Sequence, residues 1–334
     1  MINIPEDPHK AVAAAGAAAP AWAAVPLAAK AQALAAVAEA LESERTELVD
    51  LADAETKLGA ARLNGELTRT TFQLRLLADE VLAGHFLDVR IDEADPQWPT
   101  GARPDLRRYR TAIGPVLVFA ASNFPFAFSV AGGDTASAWA AGCPVVVKAH
   151  PGHPRLSRRT AAVVQRALTS AGAPDGVFCL IEGQQAGIEA LRHPDLRAAA
   201  FTGSQRGGLA LARVAAERPE PIPFYGELGS VNPVVVTAAA ADARGADIAK
   251  GYVASLTQGA GQFCTNPGLL FAPAGNDILD EIARLFDEAA PHRCSANGSP
   301  TATSTARSGW QDAPAYAAWC GPTMRPPQGH VCLP

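Results

Sequence analysis

From Leu27 to about Lys57 the apolar positions Leu27, Ala31, Leu34, Ala38, Leu41, Leu48 and Leu51 recur at steps of three, four and seven. That spacing predicts one or two amphipathic helices. Leu67, Leu74, Leu77 and Val81 repeat the period, and Gly84 supplies a stop. Residues 86–112 change character: they alternate and carry prolines, and read as strands that extend away from the core as an arm. The period then shifts again. GPVLVFAAS (114–122), PVVVKAH (144–150), GVFCLIEG (176–183), AAAFTGS (198–204) and NPVVVTA (232–238) are short, almost continuously apolar runs, the pattern of strands buried on both faces. Helical stretches at 129–141, 157–171 and 205–217 lie between them. Strand and helix alternate, which predicts an α/β chain with an open, mostly parallel, Rossmann-like sheet and helices on both faces. In such sheets ligands sit at the carboxyl ends of the strands, so the residues that follow each apolar run carry the interest.

After about residue 290 the periodicity ends. The stretch is crowded with Pro, Ser, Thr, Cys and Trp and resembles text from a shifted reading frame, so an unstructured tail is expected over 291–334.

Composition narrows the function classes. The chain has 334 residues, 48% hydrophobic and 18% charged, with a net charge of −5. There is no basic footprint for nucleic acid or an anionic membrane surface. The start MINIPEDPHK lacks the plan of a secretory signal, and the alanine-rich stretch after it is too weakly apolar to span a bilayer, so a cytoplasmic protein is expected. None of the six cysteines has Cys-x-x-Cys spacing. His150 and His153 have no third ligand at useful spacing, so no metal site is expected.

Five strand ends or loops carry chemistry. Asn123 follows the 114–122 run directly; a turn amide capping the next helix is an equally open reading. Lys148 closes the next run, as a phosphate or ribose contact or as a solvated edge lysine. Thr202, Gly203 and Ser204 form a strand-to-helix turn suited to a pyrophosphate, although the Gly-x-Gly-x-x-Gly fingerprint is absent. Glu227 stands between glycines, as a general base or a plain surface residue. Cys264 sits in the small, polar loop GAGQFCTNPG, where a thiol is accessible: an incidental loop thiol or a nucleophile.

Taken together, GPVLVFAASNFPFAFSVAGGDTASAWAAGCPVVVKAHPGHP, FTGS, ELGSVNP and GQFCTNPG resemble, in order and separation, the NAD(P)-dependent aldehyde dehydrogenase superfamily. The nearer resemblance is to the subgroup of α-ketoglutarate semialdehyde (2,5-dioxovalerate) and bacterial NADP-type fatty aldehyde dehydrogenases, over roughly residues 10–290. The resemblance implies a small-molecule aldehyde substrate, NAD or NADP as cofactor, and a homo-oligomer in which the 86–112 arm supplies oligomerisation strands. It implies Cys264 as nucleophile, Asn123 with the Cys264 backbone N–H as oxyanion donors, and Glu227 as the base that activates water. Lys148 would contact the adenosine ribose or its phosphate and Ser204 the pyrophosphate, with Gly203, Ala121, Ser122 and His150 completing the cofactor site.

Two departures stand out. The place three residues after the lysine, a ribose-gripping glutamate in many NAD-preferring members, is Pro151, which permits NADP. The Glu-x-Phe-Gly-Pro motif of the family's later catalytic region does not occur. The expected organisation is a dinucleotide-binding domain over 1–225, the start of an incomplete second α/β catalytic domain over 226–290, and the aberrant tail. Two rival functions follow: a catalytically impaired nucleotide-binding remnant, and a cofactor-independent thiol esterase using Cys264 and Glu227.

Overall fold

The structure, a computed structural model, describes residues 7–289, apart from the side chain of Ala260. The tail expected over 291–334 lies outside the described residues. The chain divides into two compact units after Leu228.

The first unit opens with four helices: α1 (Pro8–Ala24), α2 (Leu27–Ser43), α3 (Arg45–Thr56) and α4 (Ala60–Ala83). The three- and four-residue period of the sequence becomes the buried stripe Leu34, Val37, Ala38 and Leu41 of α2, together with Leu48 of α3 and Leu63, Leu67 and Leu74 of α4. Gly84 ends α4 with φ +73°, a left-handed cap that glycine adopts without steric cost. Pro20 lies inside α1 without ending it.

Next come the short antiparallel strands β1 (Arg90–Asp92) and β2 (Leu106–Arg108), exposed throughout, which form the arm. The central sheet follows: β3 (Val116–Phe119), β4 (Val145–Lys148), β5 (Phe178–Ile181), β6 (Ala198–Thr202) and β7 (Phe224–Glu227). Its order is β5-β4-β3-β6-β7 and every pairing is parallel. Between the strands run α5 (Gly133–Ala140), α6 (Pro154–Ser170), α7 (Gln184–Arg192) and α8 (Gln205–Ala216). The helix expected over 129–141 is therefore shorter, because the chain turns through Ser129–Gly132 before α5 begins.

Alternation along the strands explains the uninterrupted apolar runs. Val116, Val118, Val145, Val147, Ala198 and Ala200 pack into one core with α2, α4, α5 and α6. Leu117, Phe119, Val146 and Ala199 face the opposite way, into a second core with α1, α7 and α8. Both faces of the sheet are thus dry, as a doubly wound sheet requires. The large indoles stay satisfied inside: Trp22 Nε1 donates to the Trp139 carbonyl at 3.2 Å and Trp139 Nε1 to the Val177 carbonyl at 3.3 Å.

The second unit contains the parallel pair β8 (Pro233–Val235) and β9 (Leu269–Phe271) with α9 (Ala238–Thr257) and α10 (Ile278–Glu288). Val236, Ala249, Tyr252, Leu270, Ile278 and Ile282 form its core. No described helix is long and apolar enough to cross a membrane.

Candidate active site

In the first unit the sheet order reverses beside β3: the chain winds from β3 through β4 to β5, then returns to place β6 on the other side of β3. A crevice forms at the carboxyl edge of such a switch. Here it is a cavity of about 830 Å³, whose wall includes Ala121, Ser122, Asn123, Lys148, His150, Gly203 and Ser204. These are seven of the nine residues to which the family resemblance gives a role, gathered from the ends of three strands. The register accounts for the gathering, since Phe119 is level with both Lys148 and Phe201.

Lys148 is half-buried and makes no ion pair among the described residues. Burial pulls its ammonium below the ordinary lysine range. The carboxylate of Glu182 also lines the cavity, but it is held by Arg158 in a two-pronged pair at 2.7 and 2.6 Å. Ile188 and Leu211 supply apolar wall.

At the turn after β6, Ser204 caps α8, its hydroxyl accepting the Gly207 N–H at 3.2 Å. A Cβ at Gly203 would lie 2.7 Å from the Phe201 ring, so any larger residue there would require that ring to shift. Thr202 Oγ1 is buried and has no hydrogen-bond partner among the described residues.

His150 Nδ1 accepts the N–H of Gly152 at 3.0 Å. Burial, then the neighbouring His153 and Lys148, lower its pKa to about 4, so the ring is neutral at physiological pH. His153 is fully buried, with Nε2 2.9 Å from the Ala121 carbonyl and Nδ1 3.1 Å from Ser157 Oγ. A carbonyl only accepts, which makes Nε2 the protonated nitrogen. Three ring nitrogens of this histidine pair, His150 Nδ1 and both of His153, bind the backbone and Ser157. His153 thereby ties α6 to the end of β3, a role that sequence spacing could not reveal.

Asn123 lies in the loop between β3 and α5. Its carbonyl accepts Arg62 Nη2 at 2.5 Å, and three residues later Glu66 takes the N–H groups of Phe126 and Ala127. Neither α4 residue was marked by any sequence motif.

Glu227 is the last residue of β7, exposed, with its carbonyl accepting the Gly203 N–H at 3.0 Å. Its neighbour is a like charge: the Asp134 carboxyl is held above the usual carboxylate range, first by burial and then by the charge of Glu227.

In the second unit Cys264 is exposed at a turn between α9 and β9. The surrounding loop is tied down through its backbone. The Cys264 carbonyl accepts from Ser230 Oγ and from Asn232 Nδ2, the latter at 2.7 Å. Asn232 also donates to the Asn266 carbonyl at 2.8 Å, Asn266 Nδ2 to the Leu256 carbonyl at 2.8 Å, and Tyr252 to the Pro267 carbonyl at 3.3 Å. The backbone is thus held while the thiol stays exposed.

A parallel sheet wound on both faces, with a polar-lipped cavity where its strand order reverses, places the first unit in the doubly wound α/β class. The chain belongs to the aldehyde dehydrogenase family, whose family model matches residues 4–306. It is 51% identical over 260 residues to alpha-ketoglutaric semialdehyde dehydrogenase 2 of Azospirillum brasilense, covering 77% of this chain and 50% of that protein. It is 45% identical to alpha-ketoglutaric semialdehyde dehydrogenase of Acinetobacter baylyi, covering 75% and 48%. Among solved structures it is similar to NADP-dependent glyceraldehyde-3-phosphate dehydrogenase from Bacillus halodurans complexed with NADP. There the TM-score is 0.73 at 25% identity, over 85% of this chain and 57% of that one. The chain spans about half the length of the relatives it matches.

Proposed function

We propose that this chain carries the nucleophile, base and cofactor seat for oxidation of an aldehyde or semialdehyde, such as 2,5-dioxopentanoate, to the acid with NAD or NADP. One observation carries the reading. The cavity at the carboxyl edge of β3, β4 and β6 combines a half-buried cation, a glycine turn at a helix N-terminus and apolar wall. That donor set fits a dinucleotide: Lys148 suits the adenosine ribose or its phosphate, Gly203 and Ser204 the pyrophosphate, and Ile188 and Leu211 the base. Ala121, Ser122 and the neutral His150 complete the wall. The buried Thr202 hydroxyl, without a partner among the described residues, is a further donor at this edge. The names of the two semialdehyde dehydrogenase relatives support the substrate class, and the NADP-complexed neighbour supports the cofactor.

The chemistry of the residues follows. The Cys264 thiolate adds to the carbonyl carbon, and the C=O electron pair moves onto oxygen. The Asn123 amide and the Cys264 N–H hold that oxyanion. Bound NAD(P)+ supplies the acceptor for the departing hydride, and a thioester is left on Cys264. Glu227 takes a proton from water as its oxygen attacks the thioester; the acid leaves and the thiolate returns. Pro151, in place of a carboxylate at the cavity wall, leaves room for a 2′-phosphate. The arm and α4 expose Phe72, Leu76, Val89, Ile91 and Tyr109, which supports homo-oligomerisation through this surface. A cytoplasmic location is part of the same reading.

Purified chain titrated with NAD+ and NADP+, then assayed at 340 nm with 2,5-dioxopentanoate, tests the proposal. The reading expects dinucleotide binding that weakens in Lys148→Ala, and NAD(P)H formation that Cys264→Ala abolishes. Binding without turnover would favour the nucleotide-binding remnant. Cofactor-independent, Cys264-dependent ester cleavage would favour the esterase.

A further inference from the structure

Four polar side chains of α4, Arg62, Glu66, Arg69 and Gln73, follow one another at steps of four, three and four, so they share one face of the helix. The first three meet the loop between β3 and α5, and the fourth meets the start of α5. Arg62 Nη2 donates to the Asn123 carbonyl at 2.5 Å, and its guanidinium lies 5.0 Å from the centroid of the Phe124 ring. Glu66 Oε1 accepts the N–H of Phe126 at 2.8 Å and of Ala127 at 3.0 Å. The Arg69 guanidinium lies 5.2 Å from the Phe128 ring, which meets Phe124 edge to face at 5.3 Å. The Gln73 amide rests against Gly133, the first residue of α5.

Mere packing does not call for this arrangement. Glu66 is 6% exposed, and its Oε2 has no hydrogen-bond partner among the described residues. A carboxylate kept there is desolvated, and what it satisfies in return is a pair of loop N–H groups, those of Phe126 and Ala127. What the stripe supplies is fixed backbone on either side of Asn123.

Resting on the function proposed above, we infer that Arg62 and Glu66 are positioning residues, which hold the Asn123 loop so that its side-chain amide meets the oxyanion. Neither has to touch substrate or cofactor for this.

Hydrogen–deuterium exchange and steady-state kinetics on the whole chain test the inference together. In Arg62→Ala and Glu66→Ala, exchange of peptides within residues 121–132 should quicken tenfold or more, while β3 to β5 keep their protection. Arg62→Lys and Glu66→Gln, which retain a donor and an acceptor oxygen, should restore most of it. With 2,5-dioxopentanoate, kcat should fall ten- to hundredfold in the alanine variants with the KM for NAD(P)+ unchanged. Arg62→Ala should add nothing to Asn123→Ala. Loop exchange unchanged in both alanine variants, or quickened equally across the sheet, would overturn the inference. If wild-type chain forms no NAD(P)H, the dehydrogenase reading fails separately, and the exchange of the loop still decides whether α4 positions it.

Discussion

The side-chain amide of Asn232 bridges two carbonyls, that of Cys264 at 2.7 Å and that of Asn266 at 2.8 Å. Asn232 does this from a left-handed backbone conformation, φ +47°, which asparagine tolerates better than most residues. Asn232→Gly keeps the conformation and removes both bonds, so it should cost about 2 kcal/mol in a urea melt. Asn232→Asp aims a carboxylate at two carbonyl oxygens and should cost more. Equal midpoints for wild type and the glycine variant would show that the bridge contributes nothing.

The three described cysteines should differ sharply in reactivity. Cys143 is buried, Cys179 is partly buried with its thiol pushed up to about 11, and Cys264 is exposed. At pH 8 only about one Cys179 in a thousand is thiolate, the reactive form. Iodoacetamide followed by peptide mapping should modify Cys264 well before the other two. Faster labelling of Cys179 would contradict the burial of β5.

The doubly wound sheet was legible in the sequence because a strand buried on both faces cannot alternate: Val145, Val146 and Val147 are apolar for two different cores. The cavity lining was legible for a related reason, since residues after such runs come to the carboxyl edge. The helix α7 was not anticipated, being nine residues with only Gly187, Ala190 and Leu191 buried. Arg62, Glu66, His153 and Asn232 were invisible as site-supporting residues. Their partners are fixed by tertiary structure, Arg62 lying 61 positions from Asn123, and a charged residue on a helix reads as solvated until its neighbours are known.

Acid should weaken the first unit through His150. Its folded pKa, about 4, lies below the ordinary 6.5, so between those values the unfolded chain binds a proton that the folded chain refuses. The stability contributed by the neutral ring is present above pH 6.5 and is lost as pH falls toward 4. The cost is at most about 3 kcal/mol, less what residual solvent screening removes. Protonation at Nδ1 would also break the bond from the Gly152 N–H. Urea midpoints from pH 7.5 to 5 should fall less steeply in His150→Gln than in wild type; parallel curves would reject the assignment.

Lys148 should trade stability for binding. Burial disfavours its charge, so Lys148→Met should leave the melting temperature unchanged or higher while weakening NAD(P)+ at least tenfold, read by fluorescence titration. Unchanged affinity would remove Lys148 from the cofactor site.

Glycine at position 132 has an ordinary φ of −76°, so conformation does not demand it. Proximity does: a Cβ there would stand 2.3 Å from the Ala127 carbonyl oxygen. The loop that carries Asn123 is closed on itself by less than the width of a methyl group. In a saturation library position 132 should therefore accept a single letter, while an exposed position such as Thr265 accepts many. The mutational map of this chain would then mark the loop that carries Asn123 by intolerance at a residue with no reactive group.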